Sequence, residues 1–439
     1  MKFYSGTKSI PNDEIRAKKL CICYKQVMYE FKLLYLYPMF ILIKKEMKVR
    51  NVMLNLICVS LLVTLLYSCS DTQICELGSH TSIAIKIDPE NITKSLEVGD
   101  YSIDSVCSLA MPNNVKYYSE TKFIVKNNRI YVMDSDYNHT IYVFDISGAF
   151  MFKLGERGRA AYEYIGGPID FFVDEKNDVF VFDKVGQKVL TFSRKGDIYR
   201  VVQTQDIFPY SFGLTYKNRY MYCKSDQSDN SEYENVSLLV TDYNHDNLKK
   251  LLPFEKSYVF RPCTRNFFRN GMRLSHIPIL SDSVIVFKRD TVEKVVHFDF
   301  NGNFLAQKSP ELVSQNSSIK EISSFAGVHS LKSYQETDSL VLLEYIYNTN
   351  IHYWLYNKNT KSICSTDILF DGVYPYSDFI LKDNQLIAFI DTETVNILRK
   401  YREREDFKEN LKKSPNQIED IINGDIPTPA IVYISLKNN

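Results

Sequence analysis

Short runs of alternating or β-branched apolar residues recur along the chain at a spacing of about 50 residues, the mark of a repeat architecture. One class reads RIYVMD (129–134), DVFVFD (178–183), RYMYCK (219–224), SVIVFK (283–288), SLVLLE (339–344) and QLIAFID (385–391). A second class follows the first five: TIYVFDISGAFMFKLG (140–155), KVLTFSRKGDIYRVV (188–202), SLLVTDYNHDNLKKLL (237–252), KVVHFDFNGNFLAQKS (294–309) and IHYWLYNKNTKSICST (351–366). Inside each of these, two runs are joined by Ser-Gly, Lys-Gly, Asn-His-Asp-Asn, Asn-Gly or Lys-Asn. Gly and Asn accept the positive φ of a tight turn, so each is a hairpin. A further signal, PIDFFVD from 168, PYSFGLTY from 209 and PYSDFILK from 375, marks a strand ahead of three of the units.

Each unit is thus a four-stranded antiparallel meander, and six of them in a ring make an all-β, six-bladed β-propeller with few exposed sheet edges. A β-sandwich would not show the four-strand super-period. The 31 Tyr and 27 Phe agree with a strand-rich protein. The sixth unit is interrupted after QLIAFID by a charged helical stretch, 394–413, with Val395, Leu398 and Leu411 near one side. PAIVYISLK (429–437) supplies its third strand. SIAIKID (82–88) is the expected fourth strand, which would close the ring from the N-terminal side.

Upstream, Val52–Tyr67 is an uncharged run of 16 residues preceded by Lys48 and Arg50. That is short of the roughly 20 apolar residues of a membrane-spanning helix. A basic start, an apolar middle and then small residues is the layout of an export signal. Leu66-Tyr67-Ser68-Cys69, followed by Ser70 and Asp71, resembles the lipobox of bacterial lipoproteins, which implies cleavage before Cys69 and lipidation of its thiol. The chain then divides into an upstream extension (1–46) ahead of a start at Met47, a signal peptide (47–68), a tether (69–81) and the propeller (82–437). A second membrane segment within 1–46 is the rival reading.

Residues 1–68 hold 11 of the 53 basic and 4 of the 53 acidic residues, so the remainder carries 42 against 49, a net of −7. A mildly acidic chain argues against nucleic acid as a partner. Six of the nine cysteines follow the signal, without a CxxC pair, so neither a disulfide framework nor a zinc cluster is signalled.

The stretch FDISGAFMFKLGERGRAAYEYIGGPIDFFVDEKNDVFVFD resembles the first blades of six-bladed propeller lipoproteins of Gram-negative anaerobes, relatives of NHL-repeat propellers. Gly155, Gly158, Arg159, Glu163 and Tyr164 match the usual G-x-x-G-R-G-P-G-E-Y motif. Ala160, Ala161 and Tyr162 replace its Gly, Pro and Gly. The resemblance covers roughly residues 85–437 and implies export and an outer-membrane lipid anchor. It implies no particular activity, since fold alone does not supply one.

In such a meander the second-to-third loops and the blade-to-blade connectors emerge on one face, the decorated face. That face is expected to gather the Arg157/Arg159/Glu163/Tyr164 loop, the insertion 225–235, the connector 260–273, Tyr374, Tyr376 and the helical stretch. The loop reads either as a blade-to-blade staple or as a polar clamp at the channel mouth. In the connector, four arginines, Arg261, Arg265, Arg269 and Arg273, interleaved with Phe260, Phe267 and Phe268, fit an anionic group or a sugar or aromatic ring, or else simply cover the blades. Asp134, Asp183 and Asp391 end second strands, where they cap loops or, in the minority reading, bind calcium. No HExxH, GxSxG, Walker loop or GxGxxG is present. Two functions follow: a lipid-anchored binding or scaffold module for a protein, peptide or glycan, and, as the alternative, an NHL-like lyase or hydrolase with a channel metal, for which His139, His276 and His329 are the candidate ligands.

Overall fold

The computed structural model describes residues 80–437 apart from 114, 116–121, 205–206, 208, 210, 218, 224–235, 244–248, 254–265, 290, 314–318 and 375. The signal segment, Cys69, the insertion 225–235, Phe260, Arg261 and Arg265 lie outside the described residues.

Two strands, β1 (Thr81–Lys86) and β2 (Tyr101–Ser108), precede the repeats. Blade 1 is β3 (Lys122–Lys126), β4 (Arg129–Asp134), β5 (Thr140–Asp145) and β6 (Phe150–Leu154). Blade 2 is β7 (Asp170–Val173), β8 (Val179–Asp183), β9 (Lys188–Phe192) and β10 (Ile198–Gln203). Blade 3 is β11 (Ser211–Leu214), β12 (Tyr220–Cys223), β13 (Val236–Thr241) and β14 (Lys249–Pro253). Blade 4 is β15 (Phe267–Asn270), β16 (Arg273–His276), β17 (Ser283–Lys288) and β18 (Thr291–Asp299). Blade 5 is β19 (Val328–Glu336), β20 (Leu340–Tyr347), β21 (Asn350–Asn357) and β22 (Ile363–Thr366). Blade 6 is β23 (Tyr376–Lys382), β24 (Gln385–Ile390) and β25 (Ala430–Leu436), with β2 on its outer edge.

Strands within a blade pair antiparallel in chain order. The first strands pack in sequence, β3 on β7, β7 on β11, β11 on β15, β15 on β19 and β19 on β23, so they surround a central channel. The sequence pattern follows from this ring. Middle strands are buried on both faces by neighbouring blades, so β4 and β8 read as unbroken apolar runs, whereas the rim strand β10 is half exposed and mixed. Ring closure is apolar: Phe123, Val132 and Phe144 of blade 1 share a core with Ile387, Phe389 and Ile431 of blade 6.

Three expectations are corrected. First, 82–88 does not complete blade 6. Residues 81–86 add a fifth, parallel strand to blade 4, from Thr81↔Lys294 to Lys86↔Asp299, and β2 is the strand that closes the ring, from Tyr101↔Leu436 to Ser108↔Ala430. YSIDSVCS is a rim strand with solvent on one side, so its polar residues hid it. Between these strands the chain crosses blade 5, where Thr93 N donates to Ser365 O at 2.7 Å and Leu96 N to Leu369 O at 3.0 Å. The N-terminal segment thus ties blades 4, 5 and 6 together along the rim.

Second, blade 4 is shifted by one strand. SVIVFK is its third strand, and FFRN and RLSH are the first two, joined at Gly271 (φ 56). The segment 304–309 holds no fourth strand; Asn301-Gly302 turns the chain into a helix at Leu305–Lys308. Third, the single helical stretch expected over 394–413 is two helices, Thr392–Arg399 and Glu405–Leu411, and a third, Asn416–Asn423, follows it. Asp391 caps the first through Thr394 N at 2.7 Å, and Ile418, Ile421 and Ile422 bury the last.

Candidate functional site

The shift in blade 4 relocates the aromatic and basic cluster. Phe267, Phe268 and Arg269 belong to an innermost strand rather than to a connector, and Arg269 sits by the first hairpin, at the end of the channel opposite the decorated face. Gly213 of blade 3 makes this possible, since a Cβ there would lie 2.7 Å from the Phe267 ring.

A cavity of about 310 Å³ runs along the inner strands, lined by β3, by Phe172, Val173 and Glu175, by 267–271, by Gln335 and by 378–383. At its hairpin end Glu175 Oε1 is shared by two cations, Lys126 Nζ at 2.8 Å and Arg269 Nη2 at 3.1 Å. Blades 1, 2 and 4 thereby meet across the channel. Arg269 Nε also donates to Gly271 O at 3.3 Å and Lys126 Nζ to Val173 O at 3.1 Å. The Arg269 side chain is only 7% exposed, and its Nη1 is buried without a hydrogen-bond acceptor. Such an orphaned guanidinium nitrogen in a channel wall is uncommon, because a buried donor left unmade is costly.

The electrostatics agree. Burial lowers the Arg269 pKa, against the pull of Glu175, and burial and then Arg269 lower that of Lys126. Burial outweighs the pull of Glu175 and Asp174 on both cations. Other lining groups are already engaged: Gln335 bonds Phe379 O and Leu381 N, each at 2.8 Å, and Asn270 Nδ2 reaches Leu381 O at 3.2 Å. At the far end Lys122 is held by Asp170 at 2.6 Å, 4.0 Å from the Phe172 ring centroid.

On the decorated face, the loop after blade 1 folds on itself. Gly158 N donates to Tyr164 O at 2.8 Å, Ala160 N to Glu163 Oε2 at 2.8 Å and Tyr164 OH to Leu154 O at 3.1 Å. Tyr164 is fully buried, whereas Arg157 and Arg159 are exposed, Arg157 Nε donating to Ile165 O at 3.3 Å. Tyr374 and Tyr376 pack with Tyr101, Phe370 and Phe379 under the helices, and the Tyr101 and Tyr374 hydroxyls are hydrogen-bonded. The three strand-ending aspartates accept backbone amides: Asp134 from Tyr137 at 2.9 Å, Asp183 from Ile165 at 2.6 Å and from Gly186 at 3.0 Å, and Asp391 as above. Among the described residues no three His, Cys, Asp or Glu side chains gather to hold a metal. His276 is buried in the core, stacked on Phe267 at 4.6 Å, and His329 Nδ1 contacts Ser330 Oγ at 2.8 Å.

Lys126, Glu175, Asn270 and Gln335 do not stand out in the sequence. The available signal was KFIVKNN, in which a lysine ends an apolar inner strand instead of a turn residue.

Six four-stranded blades about a channel define a six-bladed β-propeller. Residues 118–423 match the family described as a domain of unknown function, DUF4934, and the chain belongs to that family. Among solved structures, a Bacteroides fragilis protein described as exported is 17% identical with a TM-score of 0.62, over 82% of this chain and 100% of the other. A member of the DUF4221 family from Bacteroides vulgatus is 11% identical with a TM-score of 0.42, over 77% and 97%. An inactive virginiamycin B lyase from Staphylococcus aureus, solved with quinupristin, is 7% identical with a TM-score of 0.38, over 76% and 99%. At 17% identity the likeness to the Bacteroides fragilis protein is one of fold. No curated protein matches.

Proposed function

We propose that the chain is an exported, lipid-anchored binding module of the extracytoplasmic space, whose ligand, part of a protein, peptide or glycan, enters the central channel. The observation that carries this reading is the buried, unpartnered Arg269 Nη1 in the wall of a 310 Å³ cavity. That volume lies at the small end of ligand pockets, so it suits a small molecule or the end group of a larger one. The described exported character of the Bacteroides fragilis relative and the apolar run ending at Cys69 support export. The anchor rests on the lipobox-like residues, and the outer membrane on the lipoprotein resemblance.

Ligand-induced thermal stabilisation across oligosaccharides, peptides and small organic molecules tests the channel. Ile124 lines it and is half-buried, so Ile124→Trp should fill it. Ligands that stabilise the wild type should fail to stabilise the filled variant. A ligand indifferent to the filling would move binding to another surface.

A further inference from the structure

We infer that the hairpin end of the channel is a carboxylate site, taking a small organic acid with an apolar body; this rests on the channel being a ligand site. The first ground is charge. Lys126 and Arg269 share one directly bonded carboxylate, Glu175. Asp174 also attracts both cations, but from a distance, with its Oδ1 already accepting the Lys176 and Asp178 amides. Lys382 and Asp383 also line the cavity, with opposite charges, and Asp378 lines it further along β23. With one carboxylate in direct contact between two cations, the end has room for one further anionic group at Arg269. A dianionic phosphate would meet repulsion from Glu175 and would find too few free donors.

The second ground is the donor itself. Arg269 Nη2 and Nε are engaged, leaving Nη1, which is buried and without an acceptor. One oxygen of an incoming carboxylate can accept from Nη1 in a charge-assisted hydrogen bond, which is short and strong away from water. The group is pre-organised, because Glu175 and the Gly271 carbonyl already fix the guanidinium, so little side-chain entropy remains to be lost on binding.

The third ground is the wall. Above the charged end the cavity is lined by Phe172, Phe268, Phe379 and Leu381, which suits an aromatic or alkyl body rather than a bare ion. The ligand chemistry is therefore amphipathic, with one carboxylate at the hairpin end and an apolar part toward the middle of the propeller.

Phenylacetate and its neutral isostere phenylacetamide test this by ligand-observed NMR titration of the folded protein. Phenylacetate should bind saturably, and phenylacetamide at least ten-fold more weakly. Arg269→Gln should weaken phenylacetate at least ten-fold. Glu175→Gln should tighten it several-fold, because removing the competing anion leaves both cations to the ligand. The Glu175→Gln gain decides the matter should Arg269→Gln fail to fold. Equal binding of acid and amide would overturn the carboxylate site while leaving the channel as a binding site. Absence of saturable phenylacetate binding, or weaker binding in Glu175→Gln, would overturn it as well, and the filled-channel experiment would then judge the channel separately.

Discussion

Arg269 Nη2 lies 3.1 Å from Glu175 Oε1, a link from blade 4 to blade 2 that spans 94 residues of sequence. Lys126 binds the same oxygen from blade 1, so one carboxylate ties three blades at the channel. Glu175→Gln should lower stability by about 1 kcal/mol, a modest figure because Glu175 is half exposed and solvent screens the pair. Added salt should narrow the gap from wild type, since it screens the repulsion between Lys126 and Arg269. Chemical denaturation at low and high ionic strength checks both.

Ring closure gives a paired prediction. Deleting 81–86 removes only an added outer strand on blade 4 and should cost about 1 kcal/mol with cooperativity intact. Deleting 101–108 removes the fourth strand of blade 6 and bares the edge of β25, so it should abolish cooperative melting and promote aggregation. Calorimetry and light scattering distinguish the two, and equal effects would contradict the assigned roles.

His276 should set part of the acid sensitivity. Burial pushes its pKa from 6.5 down to about 3. The unfolded chain therefore binds a proton that the folded chain refuses between those values, and stability falls as pH drops through the window. The slope is about 1.4 kcal/mol per pH unit from this one group. His276→Gln should be less stable at neutral pH yet show a shallower loss between pH 6 and 4 in denaturant titrations.

Cys69→Ser should release the protein from membranes into the extracytoplasmic fraction if lipidation anchors it. Fractionation of cells carrying either form reads this out, and unchanged membrane retention would remove the anchor.

Blades whose strands are buried on both faces were legible in the sequence, because double burial writes unbroken apolar runs such as VFVFD and tight turns write Ser-Gly or Lys-Gly. What stayed hidden was the rim and the axis. β2 has solvent on one side, and β15 carries Arg269 and Asn270 into the channel, so neither shows the expected pattern. The candidate site was half visible: Phe267, Phe268 and Arg269 stood out as a basic aromatic cluster, but their partners come from blades 1 and 2. Only the ring brings Lys126 and Glu175 to them. The Arg157–Tyr164 loop was conspicuous for its motif, and its hydrogen bonds are largely internal.

The most direct test of channel binding is a crystal structure of the protein soaked with phenylacetate. Binding in the channel requires density inside the propeller, with the carboxylate accepting from Arg269 Nη1 at the hairpin end and the ring against Phe268 and Phe379. An empty channel, with the ligand seated on the decorated face or absent, would contradict it.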